Sequence, residues 1–285
     1  MLAWRNGEYV AVPDGATVAQ IHDGPSLFET FALRAGSVEC LADHWHRLAL
    51  SCPRLGLDPQ KLILGQSTDR TKWSPVLQKL LSAAGLTDAI VRIVVVPRTD
   101  GLSTEWVTVR PLPESTPRVD LFLLKTVRDK PEWLPRPKSG PWKNSAMAWK
   151  ELSSLTTRLD VEGVQFDDAG NVSECTRSAL AWWDGKQWSM PAASTGCLPS
   201  TTANQLNGVL HQARMPIQEV ATAFPHEAQS ILILRSTLAG GASLVNQVFT
   251  CDGQVAWRAA ADQSQAHSQL SALRSWRAQR SVNLA

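Results

Sequence analysis

Pro141-Trp142-Lys143-Asn144-Ser145 opens a helix-like segment, and Val161-Glu162-Gly163-Val164-Gln165-Phe166-Asp167-Asp168-Ala169-Gly170 follows it as a strand running into a turn. Asn171-Val172-Ser173-Glu174-Cys175-Thr176 then reads as the returning strand. A lysine at a helix start and a glutamate on a strand thus stand one supersecondary unit apart. Alone, each is ordinary, because lysines are mostly solvated surface charges and glutamates mostly exposed. Placed in a desolvated pocket, however, a lysine amine becomes a base and nucleophile, and a carboxylate can stabilise a nearby cation.

Composition bounds the surroundings of this pair. The chain has 285 residues, 44% of them hydrophobic, enough for a large core and for two domains. Its 28 basic and 26 acidic residues leave a formal charge of +2 without long like-charge blocks. Nothing there favours nucleic acid or a membrane surface, so small molecules are the expected partners. Five cysteines, Cys40, Cys52, Cys175, Cys197 and Cys251, are odd in number and form no metal-binding spacing. Reduced thiols in a cytoplasm fit this usage, and no metal is expected. No stretch approaches the roughly 20 apolar residues of a membrane span, and Met1-Leu2-Ala3-Trp4-Arg5-Asn6-Gly7 has no apolar signal core.

Outward from the pair, the chain alternates strands and helices. Ala3 to Val10 reads as a hairpin around Asn6-Gly7. Leu27 to Leu33 and Ser37 to Leu41 read as strands around Ala35-Gly36. A helical period follows from Ala42 toward Gly56, and a second helix is expected from Pro75 to Ala84 with Gly85 as its stop. Ala89 to Val96 and Glu105 to Arg110 are strands. The Pro111 to Pro117 stretch can continue neither strand nor helix, and the junction is set there, giving domains 1–113 and 114–285. Beyond a proline-rich stretch from Arg128 to Pro141, strands at Leu180 to Trp183 and Ile231 to Leu234 alternate with helices expected at Thr202 to Ala213 and Ile217 to Ala223. The class is α+β.

The motifs, in this order, resemble the fold type IV pyridoxal-phosphate enzymes: aminodeoxychorismate lyases and branched-chain and D-amino acid aminotransferases. That resemblance covers nearly the whole chain. It implies a small N-terminal domain and a larger C-terminal domain with a barrel-like β core, pyridoxal 5'-phosphate between them, and a homodimer. Lys143 is then the lysine that holds the cofactor aldehyde, and Glu174, within Gly170 to Leu180, the acid at the ring nitrogen. Ala179 stands where many members have asparagine. In His44-Trp45-His46-Arg47-Leu48, Arg47 matches the arginine that binds the cofactor phosphate; His44 and His46 face different sides of a helix and make a poor metal pair.

Two turns complete the implied site. Gly196-Cys197-Leu198-Pro199-Ser200-Thr201-Thr202 resembles the family turn at a helix start, assigning Leu198, Thr201 and Thr202 to the cofactor, with Ser200 in place of glycine and Ala203 in place of a frequent arginine. Free N–H groups at such a helix start suit a phosphate, although Ser and Thr also serve there as simple caps. Arg235-Ser236-Thr237-Leu238-Ala239-Gly240-Gly241 resembles the second phosphate turn, assigning Ser236 and Thr237. Leu27-Phe28-Glu29-Thr30-Phe31 resembles the strand near the substrate side, with no catalytic role assigned to Glu29 or Thr30.

The resemblance leaves three activities open. One is a lyase that releases 4-aminobenzoate and pyruvate from 4-amino-4-deoxychorismate, an amino-cyclohexadiene carboxylate on the route to folate. Another is a branched-chain or D-amino acid aminotransferase, and the third a non-catalytic family member. Branched-chain aminotransferases of the family commonly carry a tyrosine five residues after the lysine; that position is Ala148, and Tyr9 is the only tyrosine. The balance lies with the lyase.

Overall fold

The computed structural model describes residues 1–12, 24–63, 70–114, 116, 118–130, 132–140 and 143–284, so Pro141 and Trp142 of the opening motif, and Ser115 and Pro117 of the expected junction, lie outside it. The chain divides into two compact units. Met1–Glu114 forms the first with Pro137–Pro141 and Ala278–Ala285; Ser115–Arg136 and Trp142–Arg277 form the second.

In the first unit, β1 (Leu2–Arg5) and β2 (Glu8–Ala11) pair across Asn6 and Gly7, whose φ values of 48° and 97° are those a two-residue hairpin turn requires. β3 (Ser26–Arg34) returns as β4 (Ser37–Glu39). The expected strand through Leu41 stops short, because Cys40 takes a left-handed φ of 54° and Leu41 begins α1 (Leu41–Ser51). α2 (Arg70–Ala84) begins ahead of the expected Pro75, which sits inside the helix; proline pointed to a first turn that was already under way. β5 (Ala89–Pro97) and β6 (Ser103–Pro111) complete a sheet ordered β4-β3-β5-β6-β1-β2, with Ser281–Asn283 beyond β4 and Ser139–Gly140 beside β3. Alternation along the strands puts Phe31, Leu33, Val91, Ile93 and Val107 on one face. Trp45 and Leu48 of α1 and Trp73, Leu77 and Leu80 of α2 bury that face.

The second unit is built on a βαβ crossover. β7 (Arg118–Val127) and β8 (Val161–Phe166) are parallel neighbours, and parallel strands need a long connection, here provided by α3 (Lys143–Leu155). Ala148 and Leu152 of α3 pack on Leu124 and Val161, which fixes the helix against the sheet. β9 (Val172–Cys175), β10 (Ala179–Trp183), β11 (Trp188–Pro191), α4 (Thr201–Gln212), β12 (Gln218–Val220), β13 (Ser230–Leu234), β14 (Ala242–Phe249), β15 (Val255–Arg258) and α5 (Ser264–Ala278) follow. The sheet runs β9-β8-β7-β14-β13-β10-β11-β12, with β15 on β14, and curls as a half-barrel. Gln218–Val220 corrects the helix expected at Ile217 to Ala223: three residues pair in parallel with Ser189–Pro191, a pairing no local period encodes. Both sheet faces are covered, since Ile231 and Ile233 enter one apolar cluster while Leu232 and Leu234 join Leu206 and Leu210 of α4 and Leu273 of α5 in another.

Candidate active site

Glu174 lies on β9 where the register with β8 shifts between Val172 and Glu174, a bulge that re-aims the side chain. Its Oε1 is 2.6 Å from Nη2 of Arg128, and its Oε2 accepts the Leu198 N–H at 3.1 Å. The first partner fixes the carboxylate electrostatically, and the second ties it to the loop entering α4.

Arg128 also reaches the lysine's helix. Its Nη1 donates to Oδ1 of Asn144 at 2.9 Å, and Asn144 in turn accepts from Nε2 of Gln165 at 3.0 Å and donates to the Val127 carbonyl at 2.6 Å. Asn144 follows Lys143 directly, so one guanidinium links the start of α3 to Glu174. Lys143 itself is exposed at the first position of α3 and makes no hydrogen bond or ion pair among the described residues. Burial of its amine, the condition set out from the sequence, is not met by this chain alone. Arg136, from the proline-rich stretch, adds a second guanidinium: burial and then Arg128 lower its pKa, and Asp129 and Glu174 work against that. Cys197 is no nucleophile, since burial and then the charge of Glu174 push its thiol up to about 11.

The two turns meet at Thr202 and Gly241. Ser200 caps α4 by accepting the Ala203 N–H on its hydroxyl at 3.2 Å, and Thr201 and Thr202 form the first turn, where N–H groups have no intrahelical acceptor. The Thr202 hydroxyl is buried and without a partner among the described residues. The Arg235–Gly241 turn, which contains Ser236 and Thr237, is closed by Leu238 N–H to Arg235 O at 3.0 Å and Arg235 N–H to Gly241 O at 2.8 Å. Arg235 is anchored by Glu162 of β8 at 2.8 Å, and Glu162 also accepts from the Ser178 hydroxyl at 2.7 Å. A β-carbon on Gly241 would stand 2.9 Å from the Thr202 methyl, so the two turns are in direct contact.

Arg47 lies in the first unit. Its Nε and Nη2 grip both oxygens of buried Glu29, at 2.7 and 2.6 Å, while His44 Nδ1 sits 2.8 Å from Glu29 Oε2. Glu29, given no role from the sequence, therefore orients the expected phosphate arginine. His44 is a buried structural histidine and His46 is exposed. Arg128, Asn144, Glu162 and Arg235 were also missed; only the charge of the arginines marked them, and nothing local shows their partners.

The residues present suit a phosphorylated pyridine cofactor: a carboxylate held by a guanidinium, an accessible lysine amine, and a buried hydroxyl without a partner at a helix start facing a glycine turn. The family model of class IV amino-transferases matches residues 26–241. The chain belongs to that family, and its cofactor is pyridoxal 5'-phosphate. Among solved structures it is similar to a branched-chain aminotransferase from Thermoproteus uzoniensis, at 16% identity and TM-score 0.74 over 100% of this chain and 99% of that one. A Legionella pneumophila protein assigned as a 4-amino-4-deoxychorismate lyase aligns at 18% and 0.73 over 93% and 96%. The Escherichia coli branched-chain aminotransferase aligns at 17% and 0.70 over 94% and 91%. Identities this low speak for the fold. No curated protein matches the sequence.

Proposed function

We propose that this protein is a lyase that acts on 4-amino-4-deoxychorismate and releases 4-aminobenzoate and pyruvate. The observation that carries this reading is Ala148, five residues after Lys143, fully buried against Leu152 and Leu124 where branched-chain aminotransferases of the family commonly bear a tyrosine. The sole tyrosine, Tyr9, belongs to β2 of the first unit. Without that tyrosine, α3 offers no phenol after the lysine to share in a proton's return, whereas ring aromatisation drives the lyase outcome without one.

Pyridoxal phosphate, when bound, supplies an electron sink for the carbanion formed beside the substrate's amine. Lys143 would take the proton from that carbon and, as the neighbouring ring carbon's bond to the enolpyruvyl oxygen breaks and the ring becomes aromatic, deliver it to the departing group to give pyruvate; desolvation by the bound cofactor and substrate would suit its exposed amine to that task. Glu174, oriented by Arg128, offers a negative acceptor to a protonated ring nitrogen. Leu198, whose N–H keeps Glu174 in place, would contact the cofactor. Thr201, Thr202, Ser236 and Thr237 would hold the phosphate through hydroxyls and helix-start N–H groups; Arg47, in the first unit, is the permanent cation that the family resemblance assigns to it. The working form is a homodimer, which light scattering on the purified protein checks.

Incubation with enzymatically generated 4-amino-4-deoxychorismate tests the activity. Equal amounts of 4-aminobenzoate and pyruvate are expected. Conversion of amino acids with a keto-acid acceptor and no 4-aminobenzoate would make the protein an aminotransferase instead.

A further inference from the structure

Arg277 lies near the end of α5 with 1% of its surface exposed. Arginines at helix ends usually keep the charged head in water, since burying it costs solvation. Here the head is turned inward onto the two turns described above. Nη1 donates to Oε1 of Gln205, on α4 just past Thr201 and Thr202, and Nη2 lies 3.4 Å from the carbonyl oxygen of Ser236.

The packing is as specific as the hydrogen bonds. A β-carbon on Gly241 would come 2.9 Å from Arg277 Nε, 3.0 Å from its Cδ and 2.9 Å from the Thr202 methyl. Gly241 also has a φ of +86°, so both its conformation and its missing side chain admit the guanidinium. Arg277 therefore wedges between the start of α4 and the Arg235–Gly241 turn. Next to it, the Thr202 hydroxyl, on a residue only 1% exposed, is without a partner among the described residues.

We propose that Arg277 is a positioning residue for the cofactor phosphate: it locks the two phosphate turns together through Gln205, Ser236 and Gly241, and places a permanent positive charge behind them. This inference rests on the cofactor reading above and extends it to selectivity. A guanidinium stays charged throughout the working pH range, and its field adds to that of the helix start in favouring a dianion. The site consequently discriminates for phosphorylated pyridoxal over pyridoxal itself, and the C-terminal helix becomes part of cofactor retention.

The test titrates apo wild type, Arg277→Gln, Arg277→Lys and Gln205→Met with pyridoxal phosphate and with pyridoxal, read by tryptophan fluorescence. A parallel series follows the rise in melting temperature produced by inorganic phosphate. Arg277→Gln is expected to weaken pyridoxal phosphate binding by about tenfold or more and pyridoxal binding by less than about twofold. Arg277→Lys should recover most of that loss, and the phosphate-induced rise should vanish in Arg277→Gln. Should Arg277→Gln fail to fold, Gln205→Met carries the test, with an expected loss of about threefold or more for the phosphorylated ligand alone. Unchanged pyridoxal phosphate binding, or equal loss of both ligands, overturns the proposal while leaving the cofactor reading intact. If wild type takes up neither pyridoxal, the cofactor reading fails. The phosphate series then decides: a rise in wild type that Arg277→Gln abolishes still supports the role, and no rise in wild type overturns it.

Discussion

The guanidinium of Arg128 lies 2.6 Å from the carboxylate of Glu174, and the same side chain holds Asn144 at 2.9 Å. Because Asn144 adjoins Lys143, acid and lysine are coupled through one buried cation. A break at this point should be felt at both ends.

Arg128→Met is therefore expected to cost about 3 kcal/mol of stability, since it leaves Glu174 without its ion partner in a nearly buried setting. It should also weaken cofactor binding by about tenfold through loss of orientation at Glu174. Urea unfolding and a pyridoxal phosphate titration measure the two effects; a variant as stable and as tight as wild type would show that the pair orients nothing.

Lys143→Ala separates chemistry from folding. The side chain is exposed and unbonded among the described residues, so stability should change by no more than about 0.5 kcal/mol. Activity should disappear. A large drop in melting temperature would contradict the exposed position of the lysine.

The Glu29 cluster predicts an acid limb. Burial acts to raise its pKa, but the charge and hydrogen bonds of Arg47, together with His44, outweigh it and bring the group from 4.5 down to about 2. A carboxyl whose folded pKa is depressed stabilises the fold above its unfolded pKa, and that contribution is lost as pH falls from about 4.5 to about 2. The gap corresponds to on the order of 3 kcal/mol. Stability measured against pH should fall more steeply over this window in wild type than in Glu29→Gln; parallel curves would remove Glu29 from the account.

Gly163→Ala probes the seat of α3. A β-carbon there would lie 2.4 Å from Cδ1 of Leu124, the residue on which Ala148 and Leu152 pack. Leu124 must move, at a cost of about 1–3 kcal/mol. Thermal unfolding checks this, and an unchanged midpoint would mean that the core around α3 yields freely.

The elements that sequence reveals are those with local causes. The Asn6-Gly7 hairpin, the β-branched run in β5, the α3–β8–β9 succession and the capped start of α4 all follow from turn chemistry or from period. Pro75 misled because a proline usually marks a helix start, and Gln218–Val220 escaped because its only cause is a distant parallel partner. The site divides in the same way. Lys143, Glu174 and the two turns sit in recognisable motifs, whereas the roles of Arg128 and Arg277 depend on partners far along the chain. Arg277 and Gln205 are 72 residues apart, and nothing near either residue announces the other.

Borohydride reduction of the cofactor-loaded protein, followed by proteolysis and mass spectrometry of the peptides, asks whether Lys143 holds pyridoxal phosphate in the site proposed around Glu174. A phosphopyridoxyl group is expected on the peptide carrying Lys143 and on no other lysine. A label on a different lysine, or none on a protein shown to contain the cofactor, would contradict it.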